Sequence, residues 1–166
     1  MEKLEYKIVD VEEIPKEEAI SPPLDDLMAL YSVIQKMEMI CRDSNGIGLS
    51  AFQIGLPWKL FVIDRGSYFE YLINADYEPV SQEQVISLEA CLSLVKNKHL
   101  QHFRVERYKS VRVRAKRLVI ESDELKLLDV DFTTSNDIYN IVYQHEIDHQ
   151  RGVLISDIGE EIEVYR

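Results

Sequence analysis

The chain has 166 residues, with 19 Lys+Arg against 30 Asp+Glu and a formal net charge of −11. A hydrophobic content of 46% and a charged content of 30% describe one soluble globular domain, 1–166, long enough to bury a core. The acidity argues against gripping nucleic acid through the net field, and 2 Cys cannot make a disulfide scaffold.

The acidic N terminus has no apolar run of a secretory leader, and no stretch approaches the ~20 apolar residues of a membrane span. These features predict a cytoplasmic protein. After Pro22-Pro23, the apolar spacing predicts a helix over Leu24–Cys41, with Ser21 as cap and Asp25-Asp26 in the first turn. Met28, Met37 and Met39 read as core packing. Next comes Gly46-Ile47-Gly48-Leu49-Ser50-Ala51-Phe52-Gln53, a stretch that lets a substrate backbone approach closely. Gln53 adds a neutral side-chain donor suited to an oxyanion.

The middle reads as short strands over Lys59–Asp64, Tyr68–Ile73, Gln84–Leu88, Arg104–Tyr108, Ser110–Leu118 and Lys126–Phe132. Ser110–Leu118 alternates, with Val111, Val113 and Ala115 opposite Arg112, Arg114 and Lys116. That is the pattern of an antiparallel sheet with one wet face. A late helix is expected from about Thr134 to Arg151, capped by Thr133, Thr134 or Ser135 and ended by Gly152. The acidic tail Ile155–Arg166 reads as an edge strand or a loose end. The fold class is α+β: antiparallel strands with an early and a late helix.

The late helix carries His145-Glu146-Ile147-Asp148-His149. Histidines at i and i+4 share one helix face and can hold one metal ion. Glu146 is placed to act as general base on a water there. Two histidines do not complete a site. No His follows, and no helix is expected to present Glu160, Glu161 or Glu163. The third ligand is therefore sought upstream, where Cys91 is the leading candidate. A Cys/His/His set leaves one tetrahedral position open, as catalysis requires. Cys41 reads as a buried small hydrophobe.

Gly46–Gln53, Glu89-Ala90-Cys91-Leu92-Ser93 and Gln144–His149, in this order and spacing, resemble the peptide deformylase family. The resemblance implies antiparallel sheets around a central HExxH-bearing helix. It implies removal of the formyl group from N-formylmethionine at the start of nascent polypeptides. Cys91, His145 and His149 would hold one divalent metal, Fe(II), with Zn, Ni or Co as substitutes. Glu146 would move the proton, while Gln53 and the backbone N–H of Leu92 hold the oxyanion. Backbone groups of Ile47, Gly48 and Ala90 would pair with the peptide. Ile47, Ile138, Ile141 and Val142 would line the methionine pocket. Glu89 would pair with Arg107, and Asp148 would orient a neighbour.

Some positions depart from the family pattern. Ala90 stands for a glycine, so a positive φ there would be strained. Ser50 and Phe52 replace Ala and Pro, with Phe52 expected to narrow the cleft. Gln150 stands for an apolar Leu. The chain also lacks the long C-terminal helix of many bacterial members, which resembles the short forms encoded by bacteriophages. The setting implied is the cytoplasm of a bacterium, or of a phage's bacterial host. Transient ribosome association would need a local basic patch, for which Arg112, Arg114 and Lys116 are the candidates. No sequence-specific nucleic acid and no membrane partner are expected. The competing readings are an HExxH metallopeptidase, which lacks its downstream ligand here, and a degenerate deformylase-like binding protein, which would not need Glu146 and Gln53.

Overall fold

The computed structural model describes residues 5–135 and 137–164. Among the described residues, three α-helices are formed: α1 (Leu27–Asp43), α2 (Ile138–Gln150) and the short α3 (Ile155–Ile158). The strands among these residues are β1 (Gly48–Ser50), β2 (Leu60–Asp64), β3 (Phe69–Pro79), β4 (Gln84–Lys96), β5 (His99–Tyr108), β6 (Ser110–Glu121), β7 (Glu124–Ser135) and β8 (Glu160–Ile162). They build a five-stranded sheet, β1-β2-β3-β6-β7, and a three-stranded sheet, β4-β5-β8. Every pairing within the two sheets is antiparallel.

The early helix starts later than expected. Asp26, not Ser21, caps it, because its side chain accepts the N–H of Ala29. Leu30, Ile34, Met37 and Cys41 face the core. Of the methionine group only Met37 is buried; Met28 and Met39 are exposed. The late helix also starts later. Thr133, Thr134 and Ser135 remain in β7, paired with β6, and Asp137 is the cap, accepting the N–H of Asn140. Asn136, inside the expected helix, and Tyr165 and Arg166, at the end of the expected tail, lie outside the described residues. The rest of the tail forms α3 and then β8, an edge strand beside β5.

The strands run longer than their apolar cores suggested. β3 continues to Pro79 through an irregularity after Ile73, where Asn74 has φ 54°. β4 continues through Cys91 to Lys96, with a register shift between Ala90 and Val95. Cys91 therefore sits inside a strand, not at its end. The glycine stretch itself supplies β1, which pairs with β2 at Gly48–Ile63.

The alternation of β6 is as expected. Val111, Val113 and Ala115 are buried, next to Phe61, Leu72 and Val142. The opposite row is not a free basic patch. Arg112 forks onto Asp131 at 2.7 Å, Arg114 lies between Glu78 and Asp131, and Lys116 meets Asp129 at 2.8 Å. Cross-strand acids cancel its charge.

Helix α2 touches strands of both sheets. Gln144 supports that position: its Oε1 accepts the N–H of Tyr108 and its Nε2 donates to the Tyr108 carbonyl, as a neighbouring strand would. Asn140 adds a donation to the same carbonyl.

Candidate metal and hydrolytic site

The i,i+4 spacing on α2 stacks the His145 and His149 rings edge to face, 4.9 Å apart. Strand β4 brings Cys91 against them, with Sγ 3.8 Å from Nε2 of His149. The donor atoms of Cys91, His145 and His149 all lie within 4.8 Å of one another, the one such group among the described residues. Cys91 and His149 are buried, and the His145 side chain keeps 11% of its surface exposed.

A thiolate sulfur and two imidazole nitrogens suit a divalent transition metal. The surroundings fit that use. Glu89 Oε1 lies 2.8 Å from His145 Nδ1, which turns Nε2 toward Cys91 and His149. Burial and the neighbouring His145 hold the His149 imidazole well below its ordinary pKa, in the neutral form a ligand needs. Burial would lower His145 too, but hydrogen bonds to Cys91 and Glu89 raise it to about 10, so a metal binding there would displace the proton on Nε2.

Glu89 is one end of a buried ionic chain. Arg107 forks onto it at 2.8 and 2.9 Å and donates to Asp148 at 2.6 Å. Tyr77 donates its hydroxyl to the other oxygen of Asp148. The neighbour that Asp148 orients is therefore Arg107. Against burial, which would raise it, hydrogen bonds from Arg107 and His145 hold Glu89 down at about 2. Tyr77 gave no signal in the sequence, because nothing local links β3 to α2.

Glu146 follows His145 on α2 and lines the same cleft as Cys91 and His145, with Oε2 buried and without a hydrogen-bond partner. Burial pushes its carboxyl up to about 7, with Glu89 adding to the rise and His145 and Arg107 opposing it. A carboxyl near neutrality can take and give a proton in turn. Its opposite wall is Gly48, where a Cβ would lie 2.8 Å from Oε1. The absent side chain at Gly48 thus makes room for the carboxyl.

Gln53 lies in a 3₁₀ turn, Ala51–Ile54, capped by Ser50. Its Oε1 accepts the N–H of Ser50 at 3.0 Å, which aims Nε2 at Cys91 Sγ (3.5 Å) and Ser93 Oγ (3.2 Å). The serine at position 50 is thus a cap, and Ser93 is a contact that only its place in the Cys91 segment could have suggested. Phe52 does not narrow the cleft. It is fully buried with Ile14 and Ala19 on the far side of the turn. Ala90, in β4, pairs with His102 of β5 and its φ is not positive, so it carries no strain.

A cleft of about 300 Å³ opens onto this cluster. Ile47, Gly48, Gln53, Ala90, Leu92 and Glu146 line it, with Ile138, Ile141 and Val142 on the helix side. Ile138 is 53% exposed and stands on the rim. Asn45, Ser87 and Leu100 also line the cleft, and sequence patterning did not single them out.

The model of the polypeptide deformylase family matches residues 5–163. The chain belongs to the polypeptide deformylase family. Metal dependence is a general property of deformylases. The chain is 32% identical over 145 residues to peptide deformylase 2 of Clostridium perfringens, covering 86% of each protein. Its fold matches the Synechococcus elongatus deformylase solved with actinonin at a TM-score of 0.74 and 27% identity, over 96% of this chain and 81% of that one. It also matches a probable deformylase of Synechococcus phage S-SSM7, at a TM-score of 0.72 and 27% identity, over 92% and 99% of the two chains. No described helix is long and apolar enough to cross a membrane.

Proposed function

We propose that the chain, acting as one catalytic unit with α2 at its centre, removes the formyl group from N-formylmethionine on nascent polypeptides. The observation that carries the reading is the Cys91/His145/His149 donor cluster with an unpartnered carboxyl, Glu146, at its side. The family named above has this activity.

Cys91, His145 and His149 would hold one divalent metal, Fe(II) by resemblance, with Zn, Ni or Co able to replace it. Bound there, a metal supplies Lewis acidity to the formyl carbonyl and lowers the pKa of a water. Glu146 takes a proton from the attacking water and passes it to the leaving amine, which its position near neutrality permits. The backbone N–H of Leu92 and the Nε2 of Gln53 stabilise charge on the formyl oxygen. For Gln53 this means exchanging its donation to Ser93 for one to substrate.

Backbone groups of Ile47, Gly48 and Ala90 pair with the peptide. Ile47, Ile138, Ile141 and Val142 receive the methionine side chain. Glu89, held by Arg107, orients His145 through Nδ1, which leaves Nε2 as the atom that would face the metal. The setting is the cytoplasm of a bacterium, or of a phage's bacterial host, in keeping with relatives from Clostridium perfringens and Synechococcus phage S-SSM7. Any meeting with the ribosome is transient, because Arg112, Arg114 and Lys116 are neutralised by Asp131, Glu78 and Asp129.

The test is formate release from formyl-Met-Ala-Ser by protein loaded anaerobically with Fe(II), and in parallel with Zn. Formate is expected, with internal peptide bonds intact. Peptide cleavage without formate would replace this reading with a metallopeptidase. Metal binding with neither product would leave a non-catalytic binding protein.

A further inference from the structure

The cleft does not end at the methionine pocket. Strand β4 is the outer strand of its sheet, with β5 as its one neighbour, so among the described residues its other edge is unpaired. Toward Leu94 the strand is buried, and a chain cannot follow it there. Toward Gln84 it is open and carries apolar side chains in water: Val85, Ile86 at 51% exposure and Leu88 at 69%. A trough of about 410 Å³ lies between this end of β4 and the first turns of α2. Val85, Ile86 and Lys109 line it, together with Ser87, Ile138 and Ile141, which also line the cleft. Trough and cleft are thus continuous.

We propose that the substrate's own downstream residues lie along the free edge of β4, and that one of them places an apolar side chain in this trough. The inference rests on the deformylase reading, which puts the formyl end at the Cys91 cluster. From there the only exposed course along β4 runs from Ala90 to Gln84, antiparallel to the strand. An unpaired edge offers backbone hydrogen bonds, and alternate side-chain pockets give selectivity. With methionine opposite Ala90, Ile86 is four residues on, about 13 Å at ~3.3 Å per residue. A formyl tripeptide stops short of the trough, whereas the fourth and fifth residues reach it. The substrate class is therefore a formyl polypeptide of at least five residues with an apolar fourth or fifth position.

The test compares formyl-Met-Ala-Ser with formyl-Met-Ala-Ser-Leu-Leu and formyl-Met-Ala-Ser-Ser-Ser, in wild type and in Val85→Ser/Ile86→Ser. Both substituted side chains border solvent, so folding is little affected. The Leu-Leu extension is expected to raise kcat/KM about tenfold, through KM at unchanged kcat, since burying one leucine is worth roughly that or more. The Ser-Ser extension should gain less than about twofold, since it adds little apolar burial. The double variant should lose the leucine gain and leave the tripeptide unchanged. Equal kcat/KM for the three peptides, or a gain that survives in the double variant, overturns the inference. So does a dimer in sedimentation that the double variant dissociates, which would assign the trough to a second copy. Calorimetric binding of Met-Ala-Ser-Leu-Leu against Met-Ala-Ser reads the trough without turnover. If no peptide yields formate, the deformylase reading fails, and the binding comparison alone decides this one.

Discussion

Gly48 and Glu146 share one narrow space: a Cβ on the glycine would lie 2.8 Å from Oε1 and 3.2 Å from Cγ of the carboxylate side chain. Either the strand or the acid must move when a side chain is added. Gly48→Ala is therefore expected to displace the carboxyl by a fraction of an ångström or more. Misplacement on that scale costs turnover on the order of a hundredfold. Metal content should stay as in wild type, so formate assays and metal analysis on the same preparation separate the two effects.

Removing the acid outright gives a sharper contrast with removing a ligand. Glu146→Ala should retain metal and lose at least about a hundredfold in turnover, the range of a general base. Cys91→Ser should do the reverse first, shedding metal on dialysis against a weak chelator. Near-normal turnover in Glu146→Ala, or unchanged metal retention in Cys91→Ser, would remove that residue from its role.

Arg107 holds two buried carboxylates at once, Glu89 and Asp148. Arg107→Leu leaves both without their cation, and stranding a buried charge costs about 3–5 kcal/mol. The same change releases Glu89, the orienting contact of His145, from the cation that holds it, which should weaken metal binding by roughly 10–100-fold. Denaturant unfolding of the metal-free protein and a competitive metal titration measure the two losses separately.

Gln150 is buried, and neither its Nε2 nor its Oε1 finds a hydrogen-bond partner. A buried unsatisfied amide costs about 1–3 kcal/mol. Gln150→Leu should stabilise the fold by that order, seen as a higher urea midpoint at unchanged slope. An unchanged or lower midpoint would mean that the amide is satisfied in solution.

Cys41 packs in the first core cluster and its thiol donates to the Gly46 carbonyl. Burial, with Glu146 and Asp64 adding to it, pushes its pKa from 9.0 up to about 12. In the fold the thiol stays protonated where the unfolded chain already ionises. Its contribution to stability is whole below pH 9 and is lost as pH rises from 9 toward 12. Wild type should thus lose stability more steeply over that range than Cys41→Ala, compared by slope. Native Cys41 should also resist alkylation at pH 9.

Three of the residues proposed to carry the chemistry were legible in the sequence because their spacing is local. Two histidines at i,i+4 with an intervening glutamate meet on any helix, so His145, Glu146 and His149 needed no tertiary information. The apolar alternation of β6 likewise named its buried face. Element starts were less legible. Asp26 and Asp137 compete with nearby Ser and Thr caps, and which one wins depends on where the preceding strand or loop releases the chain.

What the tertiary structure decided are the contacts between distant segments. Cys91 reaches the histidines because β4 passes α2, and a sequence pattern alone could only nominate it. The joining of Glu89 to Asp148 through Arg107, with Tyr77 behind, depends on four elements converging on one buried charge, which no local period encodes. Composition and pattern also misplace side chains at tight turns. Phe52 turns into the core because the 3₁₀ turn puts Gln53, not its neighbour, toward Cys91. Sequence determined which groups are available; packing determined which of them meet, because a desolvated charge or donor is tolerated only where another segment supplies its partner.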